Sequence, residues 1–208
     1  MATLLAFALG FPLAYFIAFR SGRYKSLMLF LVIAPFFTSF ILRTIAWRQI
    51  LADDGPIAST LNYFHLLPGG HITETWVAVV AGLTYNFLPF MVLPLYANLV
   101  KMDFRLLEAA RDLGATPWQA FWRITVPLSK SGIIAGSMLV FIPCVGEFVI
   151  PELLGGPETL MIGHVLWDEF FTNNDWPMAS SVTVVVILLI LVPMAIFNKY
   201  KAEQEARA

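Results

Sequence analysis

Three observations predict an all-α integral membrane protein. Apolar residues make up 59% of the chain, charged residues only 13%, and the apolar positions gather into long blocks separated by short polar loops. The 208 residues provide for about five spans and leave no room beside them for a water-soluble domain, so residues 1–208 are read as one membrane domain. The single cysteine, Cys144, lies in an apolar run and reads as a small packing residue, with no internal disulfide available. No repeat and no low-complexity tract interrupts the pattern.

The first block, Ala2 to Phe19, contains Gly10 and Pro12 and ends at the cationic run Arg20-Ser21-Gly22-Arg23-Tyr24-Lys25. It is long and lacks a basic leader, so it reads as a span and not as a cleavable signal. The second span is expected from Ser26 to Trp47, with Pro35 inside it, Arg43 snorkelling to the interface and Trp47 in an aromatic belt. A turn at Asp53-Asp54-Gly55-Pro56 opens a short amphipathic piece through Leu67, followed by a break at Pro68-Gly69-Gly70. The third span, Thr75 to Leu99, holds Tyr85, Asn86, Pro89 and Pro94. The fourth, Ser131 to Ile150, is expected to break near Pro143 and carries Glu147. A mixed loop, Pro151 to Trp176, leads to the last span, Pro177 to Phe197, and a charged tail follows.

Cation counting orients the chain. Eleven of the 13 Lys and Arg fall in the Arg20–Lys25 loop, the Lys101–Lys130 segment and the tail. The Pro151–Trp176 loop carries five acids and no Lys or Arg. The positive-inside rule then places the Lys101–Lys130 segment and the C-terminus in the cytoplasm and the acidic loop outside.

The cytoplasmic segment is the most informative stretch. Asp103 is placed to cap a short helix from Phe104 to Leu113, closed by Gly114 as its C-cap. Thr116-Pro117-Trp118-Gln119 has the form of a capping box that starts a second helix. Leu106, Leu107, Ala110 and Leu113 are expected on one face of the first helix, with Arg105, Glu108, Arg111 and Asp112 on the other. Trp118, Phe121 and Trp122 give the second helix an aromatic face. The pattern describes a helical hairpin at a membrane surface, suited to the bilayer boundary or to a partner's groove.

Within it, Glu108-Ala109-Ala110, then Gly114, then Ile124 and Pro127 resemble the signature cytoplasmic loop of permease subunits of bacterial ABC importers, with Val126 where Leu is usual. The resemblance implies that Glu108, Ala109, Ala110, Gly114, Thr116, Trp118, Ile124 and Pro127 couple the spans to ATPase subunits. A narrower resemblance, to polyamine permease subunits of the putrescine type, runs through Pro89–Pro94, Ser137–Pro143, Gly146–Pro157 and Met161–Pro177. That family implies a bacterial inner-membrane assembly of two permease subunits, two cytoplasmic ATPases and a periplasmic polyamine-binding protein. ATP and its magnesium belong to the ATPases, no cofactor is expected here, and no nucleic acid enters the partner set. Family members usually carry six spans, and this sequence begins at what corresponds to their second.

The chemistry within the spans leaves alternatives open. No phosphate-binding glycine loop, H-E-x-x-H or G-x-S-x-G is present, and His65, His71 and His164 lack metal-ligand spacing. Glu147 sits in an apolar stretch, where a carboxylate faces a cavity or pairs with a partner or a helix end. Glu147 and Glu152 are read as pathway carboxylates for a cation, with Tyr85 and Asn86 mid-span as either packing residues or ammonium contacts. A cation channel, a secondary carrier for small amines, a permease for another cationic amino compound and a scaffold subunit are the competing readings. A carrier has no use for a capped docking hairpin.

Overall fold

Apolar blocks free of extended residues become single long helices. The computed structural model describes residues 1–63, 71–103 and 105–205, and every regular element among them is helical. The long helices are α1 (Ala2–Phe19), α5 (Trp76–Leu99) and α12 (Trp176–Glu205), and each carries proline without breaking. Thr75 starts α5 by accepting a hydrogen bond from the Ala78 N–H.

The expected second span is not one rod. Lys25–Ile33 forms α2, a tight 3-10 turn covers Ala34–Phe37, and α3 begins only at Phe40 and runs to Leu51. Thr38 and Ser39 are extended (ψ 152° and 136°), and the Thr38 hydroxyl donates to the Pro35 carbonyl at 2.7 Å. Gly22–Phe37 and Phe40–Thr60 consequently meet at a 97° bend. The Arg43 guanidinium lies over the rings of Phe36 and Phe40, at 5.0 and 5.9 Å. Trp47 packs edge-on to Tyr85 at 5.1 Å. The short helix α4 covers Pro56–Tyr63, whereas the rest of the amphipathic piece through Leu67 and the Pro68–Gly70 break lie outside the described residues.

The fourth block also departs from expectation. Helix α9 (Lys130–Gly146) runs straight through Pro143, and the break comes at Glu147 and Phe148, before α10 (Val149–Leu154). Beyond it, α11 (Ile162–Trp167) passes into a π turn at Asp168–Thr172. By length and composition three helices among the described residues can cross a membrane, or up to five if each bent pair is one span, in line with the expected five.

The core is the seam where α1, α5 and α9 meet. Met91 of α5 is buried between glycines on both neighbours. A Cβ on Gly10 would lie 2.9 Å from Met91 Cγ, and one on Gly136 would lie 2.9 Å from its sulfur. Small residues at a helix seam let backbones close around a large side chain, which is how packing substitutes for the missing hydrophobic drive in lipid.

Candidate functional site

The hairpin forms as its capping residues dictate. Helix α6 covers Arg105–Asp112, and Asp103 Oδ1 accepts the Arg105 N–H at 3.0 Å; Phe104 lies outside the described residues. Gly114 has φ +84°, the Ala115 N–H donates to the Ala110 carbonyl, and the Gly114 N–H to the Arg111 carbonyl. That pair of bonds is a Schellman closure, and it requires a left-handed residue at Gly114. Thr116 then opens α7 (Pro117–Ala120) with both bonds of the capping box, Gln119 N–H to Thr116 Oγ1 and Thr116 N–H to Gln119 Oε1. A π turn over Phe121–Thr125 and the single turn α8 (Val126–Leu128) connect α7 to α9.

Between α6 and α7 lies a small core of its own. Leu107, Ala110 and Ala120 are buried, with Met102, Ala115 and Ile124 packed around them. This accounts for Ala110 and Ile124 of the signature as packing residues. Leu106 and Leu113, expected on the same face, are exposed instead, because eight helical residues bring only Leu107 and Ala110 onto the seam. Glu108 and Ala109 are exposed, as are Pro127 and the rings of Trp118 and Trp122. The hairpin is therefore internally held, and its exposed surface mixes Arg105, Glu108, Arg111 and Asp112 with large apolar side chains. Trp118 is 69% exposed and Leu113 88%, an arrangement that leaves an aromatic and aliphatic surface with no cover from its own chain.

One consequence is testable here. A Cβ at Gly114 would meet open space, so Gly114→Val strains the backbone without a clash, at a cost of about 1–2 kcal/mol. The spans should fold normally, and if the corner couples them to ATPases, as the sequence resemblance implies, stimulation of ATP hydrolysis in the assembled complex should fall. Normal stimulation in that variant removes the corner from any coupling role.

The four span residues do not form one cluster. Glu147 is half-buried, and its Oε1 accepts the N–H groups of Val149 and Ile150 at 3.0 and 3.3 Å. The carboxylate therefore caps α10 of its own chain, where sequence reasoning had expected an aqueous pathway or a neighbouring subunit's helix end. Gly163 of α11 closes over the same break, since a Cβ there would lie 2.7 Å from the Glu147 carbonyl oxygen. Phe148 stacks on Trp167 at 4.2 Å.

Glu152, in the first turn of α10, binds the Nε2 of His164 at 2.5 Å, and Asp168 Oδ2 lies 3.3 Å from its Nδ1. Sequence reasoning passed over His164. The i, i+4 spacing to Asp168 was visible, but the Glu152 contact joins residues 12 apart across a turn. A cleft of about 390 Å³ lies beside this pair, walled by Glu74, Gly156 and Thr159. Tyr85 lines an apolar groove of about 370 Å³ with Leu13, Met28 and Pro35. Asn86 is buried beside it in sequence but not in surroundings; its Nδ2 donates to the Gly82 carbonyl at 3.0 Å and its Oδ1 has no partner.

This architecture matches known proteins along almost the whole chain. The spermidine/putrescine transport system permease protein PotB of Haemophilus influenzae is 40% identical over 205 residues, covering 98% of this chain and 71% of the relative. The Escherichia coli protein of the same name is 41% identical over 191 residues, 90% of this chain and 70% of the relative. The E. coli inner membrane ABC transporter permease protein YdcU is 32% identical over 213 residues, 96% and 68% respectively. In fold, the chain is similar to one from the crystal structure of a bacterial alginate ABC transporter in complex with its alginate pentasaccharide-bound periplasmic protein. The TM-score is 0.72 at 20% identity, covering 95% of this chain and 75% of that one. Residues 8–200 match the family described as binding-protein-dependent transport system inner membrane component, and the chain belongs to that family of transporter permeases.

Proposed function

We propose that this chain is a permease subunit of an ATP-driven importer of small aliphatic polyamines in a bacterial inner membrane. The observation that carries the transport mode is the hairpin, closed by a Schellman turn and a capping box and presenting uncovered Leu113, Trp118 and Trp122. A rigid two-helix projection with exposed Trp118 and Trp122 fits a partner's groove and has no use in a free-standing channel. The polyamine assignment rests on the near full-length identity to the PotB relatives, whose names join spermidine and putrescine. The putrescine preference read from sequence is therefore proposed only at the level of the polyamine class.

In this reading the hairpin and C-terminus are cytoplasmic, two ATPase subunits dock on the hairpin, and a second permease subunit completes the pathway. A periplasmic binding protein delivers the amine to the acidic outer side. Glu147 and Glu152 lower the cost of bringing a multiply charged amine out of water, because a fixed negative charge offsets part of its lost hydration. Tyr85, in a separate apolar groove, is proposed as an ammonium contact through its ring face, and Asn86 is proposed as an ammonium contact through its unpartnered Oδ1. Nucleotide is handled entirely by the partners.

Two measurements on the reconstituted transporter test this. Uptake of radiolabelled putrescine and spermidine should require ATP and the binding protein, and absence of both uptakes rejects the substrate class. The isolated chain should take up no ATP photolabel, and labelling that unlabelled ATP competes away would place a nucleotide site where this reading has none.

A further inference from the structure

The joint between the hairpin and the membrane body has a register no α-helix has. In Phe121–Thr125 the backbone forms a π turn, and the Val126 N–H closes it by donating to the Phe121 carbonyl five residues back. Such turns are rare inside helices and occur mostly where a function holds them. A second observation falls on the same five residues. Thr125 is fully buried and its hydroxyl has no partner. The other buried hydroxyls among the described residues all have one. Ser21, Thr44, Thr84 and Ser129 donate to the carbonyl four residues back, and Thr159 to the carbonyl three back. For Thr125 the carbonyl four back is that of Phe121, which the π turn gives to Val126.

The Phe121 ring connects this turn to both sides of the joint. Toward the body it meets Phe11 at 5.5 Å and Tyr15 at 5.8 Å, both edge-on, on α1. Toward the hairpin it stacks on Trp118 at 5.9 Å and meets Trp122 at 5.4 Å. Trp118 and Trp122 are exposed and Phe11 is buried, so an unbroken aromatic run leads from the docking surface into the core. Edge-to-face rings resist sliding better than aliphatic contacts do, because the quadrupoles favour one geometry.

We propose that Phe121 is the positioning residue that ties the hairpin to α1, and that the Phe121–Thr125 π turn is the adjustable joint between the hairpin and α9. Closing the turn to α register gives the Thr125 hydroxyl its partner, the Phe121 carbonyl, as at Thr44 and Thr84. It also lengthens the segment by about one residue's rise, ~1.5 Å. The two registers differ in which groups are satisfied, and a docked ATPase that moves the hairpin biases the choice between them. The hairpin then carries α1 with it while its distance to α9 changes. This inference rests on the reading of the hairpin as an ATPase-docking surface.

The test uses the complete reconstituted transporter, with Cys144 left in place because it is buried. Spin labels go on Arg111, in the hairpin, paired with Arg20, at the end of α1, and on Arg111 paired with Lys130, at the start of α9; all three positions are exposed. Addition of a non-hydrolysable ATP analogue should change the 111–130 distance and leave the 111–20 distance fixed. In Phe121→Leu both distances should change, and transport per ATP hydrolysed should fall about tenfold with hydrolysis maintained. Phe121→Tyr should restore both readouts. Thr125→Val removes the gain of the α register, so it should abolish the 111–130 change while assembly stays at the parent level. A constant 111–130 distance in the parent, or parental coupling in both Phe121→Leu and Thr125→Val, overturns the proposal. If Phe121→Leu fails to assemble, the parent and Thr125→Val distances decide alone. Failure of the docking reading is separate and visible as a hairpin that binds no ATPase.

Discussion

Polyamine uptake should fall about tenfold in Glu147→Gln, with the amount of assembled transporter unchanged, as follows from losing about 1.4 kcal/mol of barrier lowering. The structure makes this substitution a clean one. Both capping bonds to Val149 and Ile150 use Oε1, an atom that glutamine supplies with the same geometry. The start of α10 is therefore retained and only the charge is removed. Glu147→Ala should do more, because it also loses a helix cap worth about 1 kcal/mol and loosens the break against which Gly163 packs. Glu152→Gln should do less, since that carboxylate is 64% exposed and already engaged by His164. The measurement is labelled putrescine and spermidine uptake in proteoliposomes, with assembly followed by co-purification. Parent-rate uptake by an assembled Glu147→Gln transporter assigns Glu147 to capping alone.

Gly136→Ile should destabilise the core. The added Cβ alone would lie 2.9 Å from the Met91 sulfur and 3.1 Å from the Met91 carbonyl oxygen, and the second of these cannot rotate away. Overpacking of this kind costs about 1–3 kcal/mol in a dense interior. The thermal denaturation midpoint of the solubilised transporter should fall clearly. Met91→Ala leaves a cavity and is also destabilising, yet the two changes together should cost less than their sum, because the alanine vacates the space the isoleucine takes. Strict additivity in that cycle would mean that Met91 is not what Gly136 makes room for.

Local chemistry was legible in the sequence, and tertiary chemistry was not. The Gly114 corner and the Thr116–Gln119 box form as expected, because each is decided by atoms within four residues. The bend before α3 was missed for the opposite reason. Pro35 was visible, but the chain turns at Thr38 and Ser39, two residues with no breaker character of their own. Pro143 misled in the other direction: it stays helical, and the break falls at Glu147, whose carboxylate reaches forward to cap the next helix. Period counting put Leu106 and Leu113 on the buried face, yet a helix of eight residues has too little length to bury both ends. Asn86 was singled out as polar at depth, and no sequence pattern shows that only one of its amide atoms finds a partner.

The uneven burial of the long helices bears on how the protein is made. Only 11% of the most apolar window of α12 is buried within the chain, against 56% for α5. A lipid-facing helix gains little by leaving hydrocarbon for protein, since lipid tails are as apolar as leucine. Helix α12 is thus the one on which the packed core depends least. Helices α1, α5 and α9 supply the glycine seam around Met91 without it. A chain halted inside α12 should therefore already hold this core, and a protease that recognises unpacked membrane helices should degrade it no faster than the parent chain.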